Sequence, residues 1–273
     1  MNSFMSWVGG KKNLRDEVLA RFPPYYERYI EVFGGAGWVL FHKPPGADFE
    51  VYNDFNSNLA NLYRCVRDKP AKLKYKLRYV LDSREDFDLT SSLHKRGILP
   101  RLYDVDRAAK FYQLIRYSYA SGLDSFGSQP HSMWSDFPMI DLAARRLQKV
   151  VIENKDFEKL IRQYDRPVSF FYCDPPYFAT ENYYKDVGFT AKDHIRLRDT
   201  LLEIKGKFLV SYNDCPEIRE IWDKPNIHIE EISRLNNLAQ RYDAGCQYGE
   251  LLISNYDTSE RAKAVHQLSL FDN

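Results

Sequence analysis

The chain reads YIEVFGGAGWVLF at residues 29–41, and this stretch decides the fold. The apolar run at 29–33 predicts a short strand that leads directly into a Gly-Gly-Ala-Gly turn at 34–37, and helical spacing resumes at 38–41. A strand, a glycine turn and a helix in this order open a nucleotide-binding α/β unit. NAD and FAD are not expected because the three spaced glycines of the dinucleotide fingerprint are absent. A tight turn without a ligand stays the alternative.

Strand-like and helical segments alternate on both sides of one long interruption. We predict helices at 13–21, 56–66, 157–164 and 193–205, and further strands at 50–52, 150–153, 168–173, 208–212 and 251–255. Such alternation predicts an α/β fold with a mostly parallel sheet flanked by helices. The expected division is a discontinuous core at 1–63 and 150–258, a helical insertion at 64–149 and a tail at 259–273.

Composition and length limit the class of protein. With 273 residues, of which 44% are hydrophobic, the chain can bury the core of one large domain or two smaller ones. No run reaches the roughly 18 apolar residues that span a bilayer, so no membrane association is expected. The N-terminus lacks the apolar region of a signal peptide. Four scattered cysteines suit a reducing cytoplasm and fit neither a zinc site nor a disulfide framework, so no metal is expected.

The charge is uneven although the net charge is only +1. Residues 64–149 contain 17 Lys and Arg against 10 Asp and Glu, and the rest of the chain contains 22 against 28. Five basic residues of the insertion lie close together: Lys69, Lys72, Lys74, Lys76 and Arg78. Such a patch suits a phosphate backbone, although an ordinary solvated helix face has the same composition.

Asp174, Pro175, Pro176 and Tyr177 directly follow the strand predicted at 168–173. This turn suits the methylation of an exocyclic amine on a flat base, whose nitrogen lone pair is delocalised into the ring. The Asp174 carboxylate and the Pro175 carbonyl can each accept one N–H, and Tyr177 offers a ring for stacking. The two prolines stiffen the turn. A loop without catalytic function stays the alternative, because Pro-Pro turns after strands are common.

Two further acidic residues and one tryptophan have two interpretations each. Asp54 lies 21 positions after Phe33, close to the spacing at which an acidic residue binds ribose hydroxyls, but it also suits a helix cap. Asp156 either binds an amine of a cofactor base or caps the helix at 157–164. Trp7 belongs to a compact cluster with Gly9, Gly10, Lys11 and Lys12, or it simply packs its ring on the core.

The order of these motifs resembles that of the Dam-type, alpha-group DNA adenine N6-methyltransferases, from residue 6 to about residue 256. The matching motifs are the Trp-Val-Gly-Gly-Lys start at 7–11, the turn at 33–37, the Asn53-Asp54 pair, the insertion, and the Asp-Pro-Pro-Tyr turn. The resemblance implies a Rossmann-like core with a helical target-recognition insertion. It also implies S-adenosylmethionine as the methyl donor and an adenine flipped out of double-stranded DNA as the acceptor. The expected location is a bacterial cytoplasm or nucleoid, or a phage-infected cell.

The resemblance also implies individual roles. Asp174, Pro175, Pro176 and Tyr177 would hold the target amine. The residues expected to bind the cofactor are Trp7, Lys11, Phe33, Gly34, Gly35, Ala36, Gly37, Asp54, Asp156, Phe157 and Asp174. Those expected to contact DNA are Lys12, Arg116, Tyr119, Ser121 and Gly122, with Arg116 at a guanine edge and Tyr119 wedged into the stack. Arg116 and Tyr119 alternatively pack within the insertion. The loop matches the recognition hairpin of the family only in part, so the target sequence stays open.

The end of the chain carries a separate motif. Gln267, Leu268, Ser269, Leu270 and Phe271 resemble the pentapeptide with which bacterial replication and repair proteins bind the DNA sliding clamp. A short tail of this kind docks by ordering only a few residues. The alternative is a tail that folds back on the core.

Two other functions are compatible with the fold. Cytosine N4 methylation acts on the same kind of amine, but serine usually opens the turn in that group, so Asp174 favours adenine. A catalytically silent DNA-binding protein would show decay of the cofactor residues, whereas Gly35, Gly37, Asp54 and Asp174 are intact. The sequence leaves open whether the protein partners a restriction nuclease, protects phage DNA or acts alone.

Overall fold

The computed structural model describes residues 1–127, 130–179, 188–235 and 247–259. These residues contain the α-helices α1 Arg15–Ala20, α2 Trp38–His42, α3 Ser57–Asp68, α4 Pro70–Leu77, α5 Arg84–Lys95, α6 Asp104–Tyr117, α7 Phe137–Leu147, α8 Phe157–Tyr164, α9 Ala191–Leu202 and α10 Pro216–Trp222. They also contain the strands β1 Arg28–Glu31, β2 Phe49–Asn53, β3 Val150–Glu153, β4 Ser169–Cys173, β5 Lys207–Asn213, β6 His228–Leu235 and β7 Gln247–Ser254. Within these ranges, no helix has the length and apolarity to cross a bilayer.

The seven strands form one sheet in the order β3-β2-β1-β4-β5-β7-β6. Strand β4 pairs in parallel with β1 and with β5, whereas β7 runs antiparallel to β5 and to β6. All five residues of β4 are buried, as expected for a strand covered on both faces of a sheet. The predicted α/β class is confirmed.

Most predicted elements are present, with shifted ends. The strand at 150–153 and the helix at 157–164 have the predicted bounds. Strand β1 ends at Glu31, two residues before the predicted end, although the Val32 N–H still donates to the Tyr172 carbonyl at 2.9 Å. Helix α10 and strand β6 were not predicted.

The chain divides into two compact units, and the first comprises residues 1–10, 34–44 and 51–154. Its core contains helices α3 and α6, which pack against each other, and a set of buried aromatic rings. The rings of Tyr52 and Tyr63 stack with their centroids 3.9 Å apart, and Phe4 lies edge-on to Tyr63 at 5.3 Å. The insertion expected at 64–149 lies within this unit, and its limits stay a prediction.

The second unit comprises residues 11–33 and 45–50 and the chain from residue 155 onward. Strands β1, β4, β5, β7 and β6 follow one another in its part of the sheet. The buried ring of Phe22 lies edge-on to Phe170 of β4, with centroids 4.6 Å apart. Helix α8 packs against α9.

The strand order of the sheet reverses between β1 and β4, which are hydrogen-bonded neighbours in the second unit. In open α/β sheets, ligands bind beyond the carboxyl ends of the strands at such a switch point. Phe33 follows β1 and Asp174 follows β4. The topology therefore brings two of the predicted site residues to the position where a ligand is expected.

Candidate active site

Asp174 begins the turn after β4, and its side chain is 17% exposed. Two donors hold the same carboxylate oxygen: Lys11 Nζ lies 2.5 Å from Oδ1, and Ser211 Oγ donates to Oδ1 at 3.0 Å. The other oxygen, Oδ2, accepts no hydrogen bond from any residue that the structure describes. The carboxylate is thus fixed through one oxygen, while the other can accept an N–H from a bound molecule.

The surroundings of Asp174 make its carboxylate more basic than that of an ordinary aspartate. Burial raises the pKa of Asp174, and the charge of Glu250 acts in the same direction. The ammonium of Lys11 and the hydroxyl of Ser211 lower the pKa without cancelling the effect of burial. A carboxylate with a raised pKa can both accept a hydrogen bond and take up a proton.

Tyr177 ends the turn and is held from two sides. The Lys11 ammonium lies 4.5 Å from the centroid of the tyrosine ring, within range of a cation–π interaction. The Tyr177 hydroxyl donates to Glu250 Oε2 at 2.7 Å. Burial raises the pKa of Tyr177 well above its ordinary value, so the hydroxyl stays a neutral donor at physiological pH.

Sequence analysis missed three residues that hold this turn. Ser211 and Asn213 are two positions apart on β5 and therefore point to the same face of the sheet. Asn213 Oδ1 accepts the N–H of Phe178 at 3.1 Å, and Asn213 Nδ2 donates to the Phe178 carbonyl at 3.4 Å. Glu250 on β7 is the third. The period-two spacing of the two β5 residues was the one available signal.

The glycine turn belongs to the first unit and is tied to Asp54. The two carboxylate oxygens of Asp54 accept different backbone donors: Oδ2 accepts the Gly35 N–H at 2.9 Å, and Oδ1 accepts the Asn56 N–H at 2.7 Å. Burial raises the pKa of Asp54 to about 6, against the opposing effect of these two donors. Helix α3 is capped by Asn56, whose side chain accepts two backbone N–H groups, so the cap predicted as an alternative for Asp54 is wrong.

Steric contacts in the first unit explain why glycines occupy the turn. A Cβ atom on Gly34 would lie 2.2 Å from the ring of Tyr52. Gly35 and Gly37 have φ angles of +49° and +63°, which L-residues with a side chain rarely adopt. Trp7 Cδ1 lies 3.1 Å from the position that a Cβ of Gly35 would take. The structure therefore brings Trp7, the turn and Asp54 together.

Asp156 and Phe157 begin α8 in the second unit. Asp156 caps the helix through the N–H of Glu158 at 3.1 Å, so the predicted cap is confirmed. Arg196 donates to both oxygens of Asp156, at 3.0 and 2.9 Å, and lowers its pKa although burial opposes the shift. The Phe157 ring centroid lies 5.7 Å from that of Phe33. These predicted site residues are thus neighbours, and their contact with a cofactor stays a prediction.

The predicted recognition loop forms a short hairpin in the first unit. The Tyr119 N–H donates to the Ser125 carbonyl at 2.8 Å, and Ser118 and Phe126 form an isolated antiparallel bridge. Three residues at the tip that are not glycine have positive φ angles, namely Ala120, Ser121 and Leu123. Tyr119 is 69% exposed and Gly122 is also exposed. The tip therefore presents an aromatic ring to solvent.

Arg116 lies at the base of this hairpin with its guanidinium engaged. Nη2 donates to Asp136 Oδ1 at 3.0 Å, and Nε lies 2.9 Å from Asp136 Oδ2. His131 Nε2 lies 2.9 Å from Nη2. Contact with a guanine would therefore require Arg116 to leave or share these partners. Lys12, the other basic residue expected at DNA, is exposed in the second unit, in the turn before α1.

The basic cluster on and beside α4 is partly neutralised by acidic neighbours. Lys74 lies 2.6 Å from Asp141, Lys76 lies 2.8 Å from Asp106, and Lys69 pairs with Asp104. Its attraction for phosphate is therefore weaker than the sequence indicates. The clamp-like motif at 267–271 lies outside the described residues.

Comparisons with known proteins show the family to which the chain belongs. The family model described as "D12 class N6 adenine-specific DNA methyltransferase" matches residues 7–237. The chain is 29% identical to the protein named Type II methyltransferase M1.LlaDCHI of Lactococcus lactis subsp. cremoris, over 94% of this chain and 96% of the relative.

Two further relatives are named DNA adenine methylase. The protein of Escherichia coli strain K12 is 26% identical, and that of Vibrio cholerae serotype O1 strain ATCC 39541 is 27% identical. Each match covers 85% of this chain and 88% of the relative. With its α/β sheet and its Asp-Pro-Pro-Tyr turn at the carboxyl end of a central strand, the chain belongs to the D12 class of N6 adenine-specific DNA methyltransferases.

Proposed function

We propose that the enzyme transfers a methyl group from S-adenosylmethionine to N6 of an adenine flipped out of double-stranded DNA, at a specific sequence. In this proposal, Asp174 Oδ2 and the Pro175 carbonyl each accept one N–H of the target amine. The observation that carries it is the geometry of Asp174, where Lys11 and Ser211 share Oδ1 and no described residue bonds Oδ2. Such preorganised acceptors stabilise the amine as positive charge develops on its nitrogen.

The residues of the turn would also orient the base and receive its proton. Tyr177 would stack on the base with the ring face that the Lys11 ammonium does not cover. After methyl transfer, the amine nitrogen carries the methyl group, both of its original protons and a positive charge, so a base must remove one proton. Asp174 is suited to this step because burial raises its pKa, and its Oδ2 would already hold the proton that leaves.

The donor set fits S-adenosylmethionine, which supplies an electrophilic methyl group on a sulfonium cation. Asp54, whose carboxylate already accepts the Gly35 N–H, would supply an acceptor for ribose hydroxyls, and Asp174 would supply negative charge. We assign cofactor binding to the residues that the family resemblance indicates: Trp7, Lys11, Phe33, Gly34, Gly35, Ala36, Gly37, Asp54, Asp156, Phe157 and Asp174. Their task is to hold the cofactor and exclude water.

DNA recognition is assigned to the hairpin and to Lys12. The exposed ring of Tyr119, beside Ser121 and Gly122 at the tip, is suited to insertion between bases. Arg116 would contact a base only after exchanging its bonds to Asp136. In its present position it connects the end of α6, beside the hairpin, to His131 and Asp136, and Arg116→Met is expected to weaken DNA binding through loss of that connection.

The tail is proposed to bind the DNA sliding clamp through Gln267, Leu268, Ser269, Leu270 and Phe271. This proposal rests on the sequence motif, with Leu270 and Phe271 entering an apolar pocket and Gln267 fixing the register. Binding of the full chain to purified bacterial clamp tests it. A variant with Leu270→Ala and Phe271→Ala should lose the interaction, and equal binding of both proteins would contradict the proposal. The enzyme would accordingly act in the bacterial cytoplasm, the nucleoid or a phage-infected cell.

The reaction is tested by incubating the enzyme and labelled S-adenosylmethionine with unmethylated double-stranded or single-stranded DNA. Mass spectrometry of the nucleosides should show N6-methyladenine, formed faster on the duplex, and sequencing should place it in one short context. Label in N4-methylcytosine, or adenine methylation spread over unrelated contexts, would contradict the proposed specificity. Absence of label from both substrates would contradict the proposed chemistry.

A further inference from the structure

Glu250 is a buried carboxylate on β7 with a side chain that is 1% exposed. Its Oε2 atom accepts the hydroxyl of Tyr177, the last residue of the Asp-Pro-Pro-Tyr turn, at 2.7 Å. Burying a carboxylate is unfavourable unless hydrogen bonds or charges compensate it. An acidic residue at this position therefore suggests a task beyond packing.

The pairing of β5 and β7 places Glu250 beside the other supports of the turn. In the antiparallel register, Glu250 is the partner of Asn213, and Asn213 holds both backbone groups of Phe178. Two cross-strand partners thus fasten two consecutive residues, Tyr177 through its hydroxyl and Phe178 through its main chain. Ser211, on the same face of β5 as Asn213, holds Asp174. The paired ends of β5 and β7 therefore form hydrogen bonds to three residues of the turn segment: Asp174, Tyr177 and Phe178.

The hydroxyl bond decides how the Tyr177 ring is oriented. A tyrosine ring has two side-chain torsions, and a hydrogen bond at its far end restricts both of them. The Lys11 ammonium lies 4.5 Å from the ring centroid and thereby takes one face. A rotated ring would present its edge to a base and would lose the contact with Lys11, which also holds Asp174.

We propose that Glu250 is a positioning residue for methyl transfer, which fixes the Tyr177 ring in the plane required for stacking on the target adenine. The inference rests on the proposed role of the turn. Glu250 acts through Tyr177 and does not touch the substrate or the cofactor. Its requirement is an acceptor oxygen at this position, since the Tyr177 hydroxyl is the donor.

The test uses the full-length enzyme with unmethylated plasmid DNA and labelled S-adenosylmethionine. Glu250→Leu removes the acceptor at similar volume, whereas Glu250→Gln keeps an acceptor oxygen and loses the charge. Because misplacement of a reacting group by about 1 Å costs on the order of 10²-fold in rate, kcat of Glu250→Leu should fall by that factor. KM for S-adenosylmethionine should stay within about twofold, and Glu250→Gln should recover at least about tenfold of the loss.

Tyr177→Phe tests the same bond from the other side, whether or not Glu250→Leu folds. It should lower kcat about as much as Glu250→Leu does. The double variant should have a kcat no lower than either single variant, because all three variants lack the same hydrogen bond between Tyr177 and Glu250. Tyr29→Phe is the matched control. It removes another buried hydroxyl, which donates to Glu31 Oε2 at 2.6 Å, and it should lower stability but leave kcat unchanged.

Three results would overturn the inference: wild-type kcat in Glu250→Leu, multiplicative losses in the double variant, or an equal loss of kcat in Tyr29→Phe. If Glu250→Leu does not fold, a Glu250→Gln variant as impaired as Tyr177→Phe would also overturn it. Asp174→Asn separates this failure from failure of the proposed function. An inactive Asp174→Asn with an active Glu250→Leu refutes only the role of Glu250, whereas an active Asp174→Asn refutes the role of the turn.

Discussion

Replacement of Lys11 by methionine should destabilise the protein in a way that depends on pH. Lys11 and Asp174 form an ion pair whose side chains are only 5% and 17% exposed, with 2.5 Å between Nζ and Oδ1. Removing one partner of a buried pair leaves the other charge uncompensated, which typically costs about 3–5 kcal/mol. Because Asp174 keeps some contact with solvent and the hydroxyl of Ser211, the lower end, about 3 kcal/mol, applies at pH 8.

The pH dependence follows from the direction of the Asp174 pKa. Burial already raises this pKa in the folded protein, and Lys11 opposes the shift, so the variant should have a still higher pKa. A folded-state pKa above the unfolded value means that the folded variant binds the proton more tightly. Its stability should therefore recover as the pH falls through that pKa, because the neutral carboxyl group no longer requires a cation.

Urea unfolding at pH 8 and pH 5 measures both effects. The difference in unfolding free energy between the wild type and Lys11→Met should be about 3 kcal/mol at pH 8 and clearly smaller at pH 5. Lys12→Met is the matched control, since Lys12 is the next residue and is exposed, and a change within about 0.5 kcal/mol is expected. An equal loss for Lys11→Met at both pH values would refute the reasoning.

Two further perturbations address the first unit. Gly34→Ala places a Cβ 2.2 Å from the ring of Tyr52, which is stacked on the ring of Tyr63. A loss of about 3 kcal/mol in unfolding free energy is therefore expected. Gly46→Ala, with open space around the added Cβ, should leave the unfolding free energy unchanged. Equal melting temperatures for the two variants would contradict this steric argument. Burial raises the pKa of Asp54 to about 6, so protonation below that pH removes the charged acceptor proposed for the ribose hydroxyls. The affinity for sinefungin, a non-reactive analogue of S-adenosylmethionine, should therefore weaken by up to about tenfold for each pH unit below 6. Unfolding would not explain such weakening, because the raised folded-state pKa makes protonation of Asp54 favour the folded state as the pH falls. A dissociation constant that stays unchanged from pH 7.5 to pH 5 would exclude the assigned role of Asp54 in binding ribose.

The elements that sequence analysis predicted well have clear local boundaries. Glycines separate β1 from α2, and the apolar run of β4 is followed by Asp174 and two prolines. Strand β6, one of the two edge strands of the sheet, lacks such signals because it carries three charged residues and only Ile232 is buried among its described side chains. Edge strands commonly carry charged residues, which obscures the alternation that reveals a strand.

The Asp-Pro-Pro-Tyr turn was predictable, but the residues that support it were not. Asp174 and Tyr177 follow a recognisable strand, whereas Glu250 lies 73 positions after Tyr177 and contacts it only because β7 returns antiparallel to β5. A shift of one residue in that register would turn Glu250 to the other face of the sheet. No local pattern specifies this pairing. No local pattern reveals the hydrogen bonds from Arg116 to Asp136 either, because Asp136 lies 20 positions later in the chain.

The central claim is that the Asp174 carboxylate holds the amine of the target adenine. It is tested most directly by the rate of N6-methyladenine formation in Asp174→Asn, measured with labelled S-adenosylmethionine and unmethylated DNA. Asparagine has the same size, but Lys11 and Ser211 would both hold its amide oxygen, so its amide nitrogen would donate where the amine needs an acceptor. A folded variant with a rate reduced on the order of 10³-fold is the predicted result. A folded variant that methylates adenine at nearly the wild-type rate would contradict the account.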